Sequence, residues 1–292
     1  MLKKTMKNLF SVSLFSSLLF FTAFCYAAPG VTVVGVRDGV SELPQVDGLV
    51  NDGLQSRVNS SIKTVTNDLK SSLKNEKEVS YSYEVVKNNL HFLSMFVKAQ
   101  NNQGELLSVR SVNVDLRTGD VYNLTSFFST SKEFFDLLES KLNWRPNENT
   151  SFTLSEKGLV FINEGQEQIV GYENVFPWMI IGKIDYYLEG YRVTVDADGK
   201  VVRANVGNLI ILFLESNRTT GYSWQTKDNN YTSNLRYIGS SYLLNSTEIG
   251  SSGWELMIFG IEKPGEVNIT VEYKRPWEKQ AIKQLVVTII GK

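Results

Sequence analysis

An unbroken apolar run at residues 209–214, Leu-Ile-Ile-Leu-Phe-Leu, restricts the fold more than any other stretch of the chain. The run is short for a helix, and it has no polar face that could meet water. A β-strand with these residues is stable when both of its faces are covered. The sequence therefore predicts a strand that is buried on both sides.

A polar, turn-forming segment follows this strand directly, at Asn217–Trp224. Asn217 and Gly221 tolerate left-handed backbone conformations, and Thr219 and Thr220 favour extended or turn geometry over helix. The segment is therefore predicted to protrude as a tight wedge. Loops that are held on a rigid strand often carry recognition.

Three motifs of the C-terminal part together resemble the chagasin family, which are secreted inhibitors of papain-like cysteine peptidases. Asn217–Trp224 is similar to the family's Asn-Pro-Thr-Thr-Gly-Tyr/Phe-x-Trp signature, with Arg218 in place of proline. Gly250–Gly253 resembles its Gly-x-Gly-Gly loop, with Ser252 in place of a glycine. Arg275–Trp277 matches its Arg-Pro-Trp loop, and the three motifs follow in the family's order.

The resemblance implies a protein inhibitor with three binding loops. It implies that the protein is not an enzyme and needs no cofactor. The implied site residues are Asn217, Thr219, Thr220, Gly221 and Tyr222 in loop 1, Gly250, Ser251, Ser252 and Gly253 in loop 2, and Arg275, Pro276 and Trp277 in loop 3. By resemblance, loop 1 enters the peptidase's catalytic centre and loop 2 pairs along the unprimed side of the cleft in the manner of a β-strand. Loop 3 packs on the primed side. The implied partner is a papain-like cysteine peptidase, either the cell's own or a host's.

Arg218 is the departure from the motif that bears most on inhibition. Proline fixes the backbone angle φ, and arginine does not. We expect the change to loosen loop 1 by a few tenths to about 1 kcal/mol. The sequence therefore predicts weaker inhibition or a different range of targets.

The C-terminal part reads as all-β from about Tyr191 to the end. Short strands are separated by turns roughly every ten residues, and Val267, Ile269, Val271 and Tyr273 alternate strictly with polar positions. This pattern predicts a β-sandwich or barrel of the immunoglobulin type. The chagasin resemblance implies the same kind of fold.

The N-terminal part mixes helix and strand signals, which predicts a separate α+β domain with its own core. Apolar residues from Leu54 to Leu73 recur at spacings of three and four, as in an amphipathic helix. Thr130 and Glu133 have capping-box spacing and predict the start of a second helix. The predicted strands are 31–36, 81–86, 90–97, 106–115, 152–154, 159–162 and 168–170.

Residues 31–188 also resemble a bacterial extracytoplasmic domain that is found beside polysaccharide deacetylases and in a lysozyme-binding anti-sigma factor. The similar features are Ser80–Tyr83, the turn at Asn113–Gly119 and the hairpin Leu154–Phe161. A histidine expected near Gln103 and Gly104 is missing. The resemblance leaves open an alternative function, in which this domain binds lysozyme or cell-wall glycan and the C-terminal part is a spacer.

Residues 1–27 read as a secretory signal peptide, with Lys3, Lys4 and Lys7 before an apolar stretch and small residues at its end. Cleavage there removes Cys25, the chain's single cysteine. We therefore expect a secreted, periplasmic or cell-surface protein without a membrane segment after cleavage. An uncleaved anchor or a lipoprotein stays open. The predicted organisation is a signal peptide at 1–27, an α+β domain at 28–188 and an inhibitor domain at 189–292.

Composition argues against several other classes of protein. The formal net charge is -1, and loss of the three leader lysines gives -1 - 3 = -4, so no basic face for nucleic acid is expected. His91 is the single histidine, and it alternates with apolar residues in a predicted strand, which favours a structural role. Asp196 and Asp198 before Gly199 favour a hairpin turn over a calcium loop. No spacing specifies an active site or a metal site.

Overall fold

The computed structural model describes residues 31–180, 190–194, 199–227, 234–244 and 251–292. The N-terminal part, residues 31–180, mixes helices with strands, as predicted. Its strands are β1 (Thr32–Asp38), β2 (Ser41–Asp47), β3 (Ser80–Asn88), β4 (Phe92–Gln100), β5 (Leu106–Asp115), β6 (Phe152–Leu154), β7 (Gly158–Asn163) and β8 (Gln166–Gly171). Its helices are α1 (Asp52–Ser72), α2 (Leu124–Phe127), α3 (Lys132–Leu142) and α4 (Tyr172–Val175), and a 3-10 turn follows at Phe176–Trp178.

The N-terminal strands form a β1–β2 hairpin and two antiparallel sheets, β3–β4–β5 and β6–β7–β8. Helix α1 covers one face of the first sheet, and Val58, Ile62 and Leu69 are buried in a common cluster with residues of β4 and β5. Asn51 caps the start of α1 by accepting a hydrogen bond from the Leu54 amide. The predicted amphipathic helix is thus confirmed.

Two local predictions in this part need correction. The cap of α3 is Ser131, whose hydroxyl accepts from the Phe134 amide, so Thr130 lies one residue before the cap. His91 lies before β4, which begins at Phe92, and its carbonyl oxygen accepts a hydrogen bond from the Leu116 amide. Asn89 accounts for that second shift, because its side chain accepts from the amides of both His91 and Phe92 and forms a turn there.

The C-terminal part is a sandwich of two four-stranded sheets. Its strands are β9 (Gly190–Thr194), β10 (Val201–Ala204), β11 (Leu209–Ser216), β12 (Ser223–Thr226), β13 (Leu235–Leu244), β14 (Gly253–Ile261), β15 (Gly265–Lys274) and β16 (Lys283–Gly291). One sheet has the order β10–β16–β15–β12 and the other β13–β14–β11–β9. The predicted all-β fold is confirmed, and the strictly alternating residues of β15 are all buried between the sheets.

Strand β11 is buried on both faces, which confirms the prediction from its apolar run. Ile210, Leu212 and Leu214 point into the core between the two sheets. Leu209 and Ile211 point the other way, into an apolar cluster that includes α3, β6, β7 and the 3-10 turn at Phe176. The same strand therefore serves two cores.

That second cluster joins the two parts of the chain. The sequence predicts a separate core for each part, and the structure adds a third core that they share. Leu256 and Ile258 of β14 belong to it together with Phe134, Phe161 and Phe176 of the N-terminal part. Gly260 permits this contact, because a Cβ atom there would lie 2.3 Å from Cε2 of Phe176.

Some predictions fall outside the described residues. These are the signal peptide at 1–27, the domain boundary at 188 and 189, the turn residues Asp196 and Asp198, and Gly250 of loop 2. Within the described ranges, no helix combines the length and apolar character needed to cross a membrane.

Candidate functional site

Strand pairing brings the three predicted loops to one end of the sandwich. Ser216, the last residue of β11, pairs with Gly253, the first residue of β14, so the start of loop 1 lies beside the end of loop 2. Ser223, the first residue of β12, pairs with Lys274, the last residue of β15, so loop 1 returns beside loop 3. Loop 1 therefore lies between the other two and connects the two sheets.

Loop 1 is held by hydrogen bonds within itself. Residues 218–220 form a 3-10 turn, and the Asn217 side chain accepts from the Thr219 amide at 3.1 Å. The Thr220 hydroxyl donates to the Asn217 carbonyl at 2.6 Å. Gly221 closes the turn with a φ of 80°, a conformation that favours glycine. The predicted tight, protruding wedge matches this geometry.

Loop 3 packs directly against loop 1. Nε of Arg275 donates to the Thr220 carbonyl at 3.1 Å, and its guanidinium carbon lies 4.5 Å from the centre of the Tyr222 ring. Glu278 completes the restraint by pairing with Nη1 of Arg275 at 3.2 Å. Beside them, Trp277 is 73% exposed. An exposed tryptophan on a fixed loop is a strong candidate for a binding hot spot.

The described residues of loop 2 lie at the start of β14. Ser251 and Ser252 are half-buried, and Gly253 is buried and pairs with both Ser216 and Leu244. These contacts hold the C-terminal end of loop 2 beside the start of loop 1. The strand-like pairing of loop 2 with a peptidase stays a prediction.

Arg218 makes contacts that the sequence does not predict. Its Nη2 pairs with Oε1 of Glu255 at 2.9 Å, and its guanidinium carbon lies 4.7 Å from the centre of the Tyr242 ring. The expectation of a looser loop considers only the lost proline. The structure supplies restraint from the side chain instead.

An aromatic cluster supports loop 1 from below. The hydroxyl of Tyr273 accepts a hydrogen bond from the Asn217 amide at 2.9 Å, and the Tyr273 ring packs against those of Tyr222 and Trp224. Nε1 of Trp224 donates to the Glu215 carbonyl at 3.0 Å. Buried rings with satisfied polar groups fix the base of the loop.

The strand that leads into loop 3 carries a shielded carboxylate. Glu272 accepts a hydrogen bond from Nζ of Lys274 at 2.9 Å, and Lys227 lies 3.4 Å away. The Lys274 hydrogen bond, with the charges of both lysines, lowers the pKa of Glu272, and partial burial opposes the shift. Glu272 is therefore ionised near neutral pH, and its ion pair links β15 to Lys227, the residue after β12.

Sequence reasoning missed four residues that hold the site, namely Tyr242, Glu255, Tyr273 and Glu278. Glu255 left a readable signal, because it occupies an inward position of the alternation that continues with Met257 and Phe259. An acidic residue at such a position needs a buried partner. The other three show nothing in the sequence that distinguishes them from ordinary strand or turn residues.

A cavity of about 380 Å³ lies at the junction of the two parts, near the other end of β11 from loop 1. Lys87, Ser155 and Lys157 line it from the N-terminal part, and Asn205 and Asn208 line it from the C-terminal part. Among the residues that the structure describes, no group of three or more His, Cys, Asp or Glu side chains is arranged to hold a metal ion.

A family model matches the part of the chain that contains all three loops. Residues 203–289 match the model described as chagasin family peptidase inhibitor I42. The resemblance of this part to the chagasin family is confirmed. The chagasin-family match begins in β10 and ends in β16, so it covers most of the sandwich.

Comparison with solved structures finds several likenesses. The cysteine protease inhibitor EhICP2 from Entamoeba histolytica is 21% identical, with 35% of this chain and 94% of that chain covered and a TM-score of 0.30. PbICP-C, solved in complex with falcipain-2, is 16% identical, with 36% and 92% covered and a TM-score of 0.26.

The N-terminal part has a likeness of its own. A member of the duf3298 family from Bacteroides fragilis is 13% identical, with 53% of this chain and 94% of that chain covered and a TM-score of 0.38. No curated protein matches the chain.

Proposed function

We propose that this protein is a reversible inhibitor of papain-like cysteine peptidases, and that loops 1, 2 and 3 together block the active-site cleft. The observation that carries the proposal is the packing of Arg275 against loop 1, which joins loops 1 and 3 into one edge. The chagasin-family match over residues 203–289 supports it.

The shape of the edge suits a cleft. Thr219, Thr220 and Gly221 are exposed at the tip of loop 1, and Trp277 is exposed on the flank. A narrow wedge with an aromatic side chain beside it can fill a groove and pack on one of its walls. No step of this mechanism requires a covalent bond to the peptidase.

Restraint of the loops favours tight binding. The turn in loop 1, the Arg275 hydrogen bond and the Glu278 ion pair limit the conformations of the free protein. A loop that is already ordered loses less conformational entropy when it binds. We therefore expect the affinity to come from preorganised loops rather than from a large contact area.

Titration of papain with the chain that begins at Ala28 tests the proposal. We expect inhibition that reverses on dilution, together with binding to papain whose catalytic thiol is blocked. Combined T219A, T220A and W277A substitutions should abolish inhibition, whereas V40A with I169A, two exposed apolar positions of the N-terminal part, should not. Absence of inhibition by the unsubstituted chain at micromolar concentrations would overturn the proposal.

We also propose that the protein acts outside the cytoplasm, after removal of residues 1–27. The lysines followed by an apolar stretch support export. Sequencing the N-terminus of the protein recovered from the producing cells tests this, and a terminus at Met1 would contradict it. Peptidases in the same compartment, from the cell or from a host, are the candidate targets.

Binding of lysozyme or cell-wall glycan by the N-terminal part is the competing explanation. It predicts that the triple variant in loops 1 and 3 still retains lysozyme or peptidoglycan in a pull-down. If inhibition depends on the loops and neither lysozyme nor peptidoglycan is retained, the result favours the proposal that the protein is a peptidase inhibitor.

A further inference from the structure

We propose that Arg218 and Glu255 form an anchor that positions loop 1 and replaces the restraint of the proline in the family's motif. The effect of this anchor on inhibition rests on the proposed function. The anchor itself can be tested without any peptidase.

Glu255 contacts loop 1 and its two flanking strands. Its Oε2 accepts from the Ser216 hydroxyl at 3.2 Å and from the Trp224 amide at 3.2 Å. Its Oε1 accepts from Arg218 at 2.9 Å. Ser216 precedes the loop, Arg218 lies within it and Trp224 follows it, so one carboxylate ties together the entry, the turn and the exit.

The position of Glu255 in the strand makes its role specific. Its side chain is only 3% exposed, and the following inward residues, Met257 and Phe259, belong to the apolar core. Burial of a carboxylate is unfavourable unless charged and neutral donors surround it. The Ser216 hydroxyl, Arg218 and the Trp224 amide supply these hydrogen bonds. Those from Arg218 and Trp224 require loop 1 to keep its present conformation.

Arg218 is restrained on two sides. Glu255 pairs with one edge of its guanidinium, and the Tyr242 ring lies under it at 4.7 Å. Tyr242 is itself fixed, because its hydroxyl donates to the Ser216 carbonyl at 3.1 Å. Proline would restrain this position through its own ring, whereas Arg218 does so through contacts with β13 and β14.

Hydrogen exchange in the free protein tests the anchor directly. The amides of Thr220 and Gly221 donate to the carbonyls of Asn217 and Arg218 within the loop. We expect R218A to speed their exchange about tenfold, since a hydrogen bond to a charged group is lost. R218K, which keeps the charge, should recover part of the protection.

A control removes an arginine of similar exposure, with its ion pairs, elsewhere in the chain. Arg145 is 45% exposed, against 46% for Arg218, and pairs with Asp136 at 2.8 Å in the N-terminal part. R145A should leave the exchange of Thr220 and Gly221 unchanged. Equal exchange rates in R218A and the unsubstituted chain would overturn the proposal.

A double-mutant cycle connects the anchor to inhibition. We expect R218A and E255Q each to raise the inhibition constant for papain about tenfold, and the double variant to be little worse than either. If the increases in the inhibition constant from the two single variants multiply in the double variant, the two residues act independently and the proposed coupling is overturned. If the unsubstituted chain does not inhibit papain, the proposed function fails, and the exchange measurement still decides whether the anchor exists.

Discussion

Nε of Arg275 donates a hydrogen bond to the carbonyl oxygen of Thr220 across 55 residues of sequence. This bond joins loop 3 to the turn of loop 1, and the Arg275 guanidinium also covers the Tyr222 ring. The exposed tip of loop 1 and the exposed Trp277 are therefore held in a fixed relation to each other.

Substitution R275K tests this relation. Lysine keeps the positive charge but lacks the planar group that donates to Thr220 and covers Tyr222. We expect the inhibition constant to rise about tenfold, because roughly one charged hydrogen bond is lost from the preorganised edge. Titration of papain measures it. R236K is the control. Arg236 pairs with Glu262 near the start of β13, and this variant should inhibit like the unsubstituted chain.

Substitution W277A separates binding from stability. Trp277 is largely exposed, so we expect the free energy of unfolding to change by less than about 0.5 kcal/mol. Loss of a hot-spot side chain should weaken inhibition by about 2 kcal/mol. Chemical denaturation and papain titration measure the two effects. I169A is the control, because Ile169 is 53% exposed on β8, and a similar loss of inhibition there would contradict the assignment.

Substitution G260A tests the core that the two parts share. The new methyl group would meet Phe176, which is buried and cannot move aside without cost. We expect a loss of about 1–3 kcal/mol in the free energy of unfolding, measured in urea. F176L should relieve part of the loss in the double variant. Equal stability of G260A and the unsubstituted chain would contradict a close contact between Gly260 and Phe176.

Glu272 predicts a dependence of stability on pH. Its pKa is lower in the folded chain than the ordinary value of 4.5, because of Lys274 and Lys227. The unfolded chain therefore binds the proton more readily, so this contribution is present above pH 4.5 and is lost as the pH falls below it. Urea unfolding between neutral pH and pH 3 should show a shallower decline for E272Q. Parallel curves for the two proteins would contradict this role.

The sequence predicts most of the strands because their patterns are local. Alternation in β15 and the apolar run of β11 each determine burial within one element, and both are confirmed. Strand β2 is missed, since it contains Pro44 and lies at an edge, where proline is tolerated. Strand β12 is also missed, because it is only four residues long and its pairing partner, β15, lies far along the chain.

The sequence predicts the loop motifs of the candidate site, but it does not predict the residues that hold those loops in place. The loops 1, 2 and 3 are read from residue identity, whereas the support of Arg218 depends on Glu255, 37 residues away. Only tertiary pairing of β11 with β14 brings these two side chains together. For the same reason the shared core was not foreseen: an apolar strand face does not reveal which part of the chain covers it.

The contact between Gly260 and Phe176 also bears on how this protein can diverge. A ring from one part fills the space that a missing side chain leaves in the other, so a change at either position alters what the other can be. Natural relatives with the same arrangement should therefore show paired substitutions, with a smaller residue at 176 wherever 260 carries a side chain. Recombination that exchanges only the C-terminal part would have to bring a compatible residue at position 176 with it.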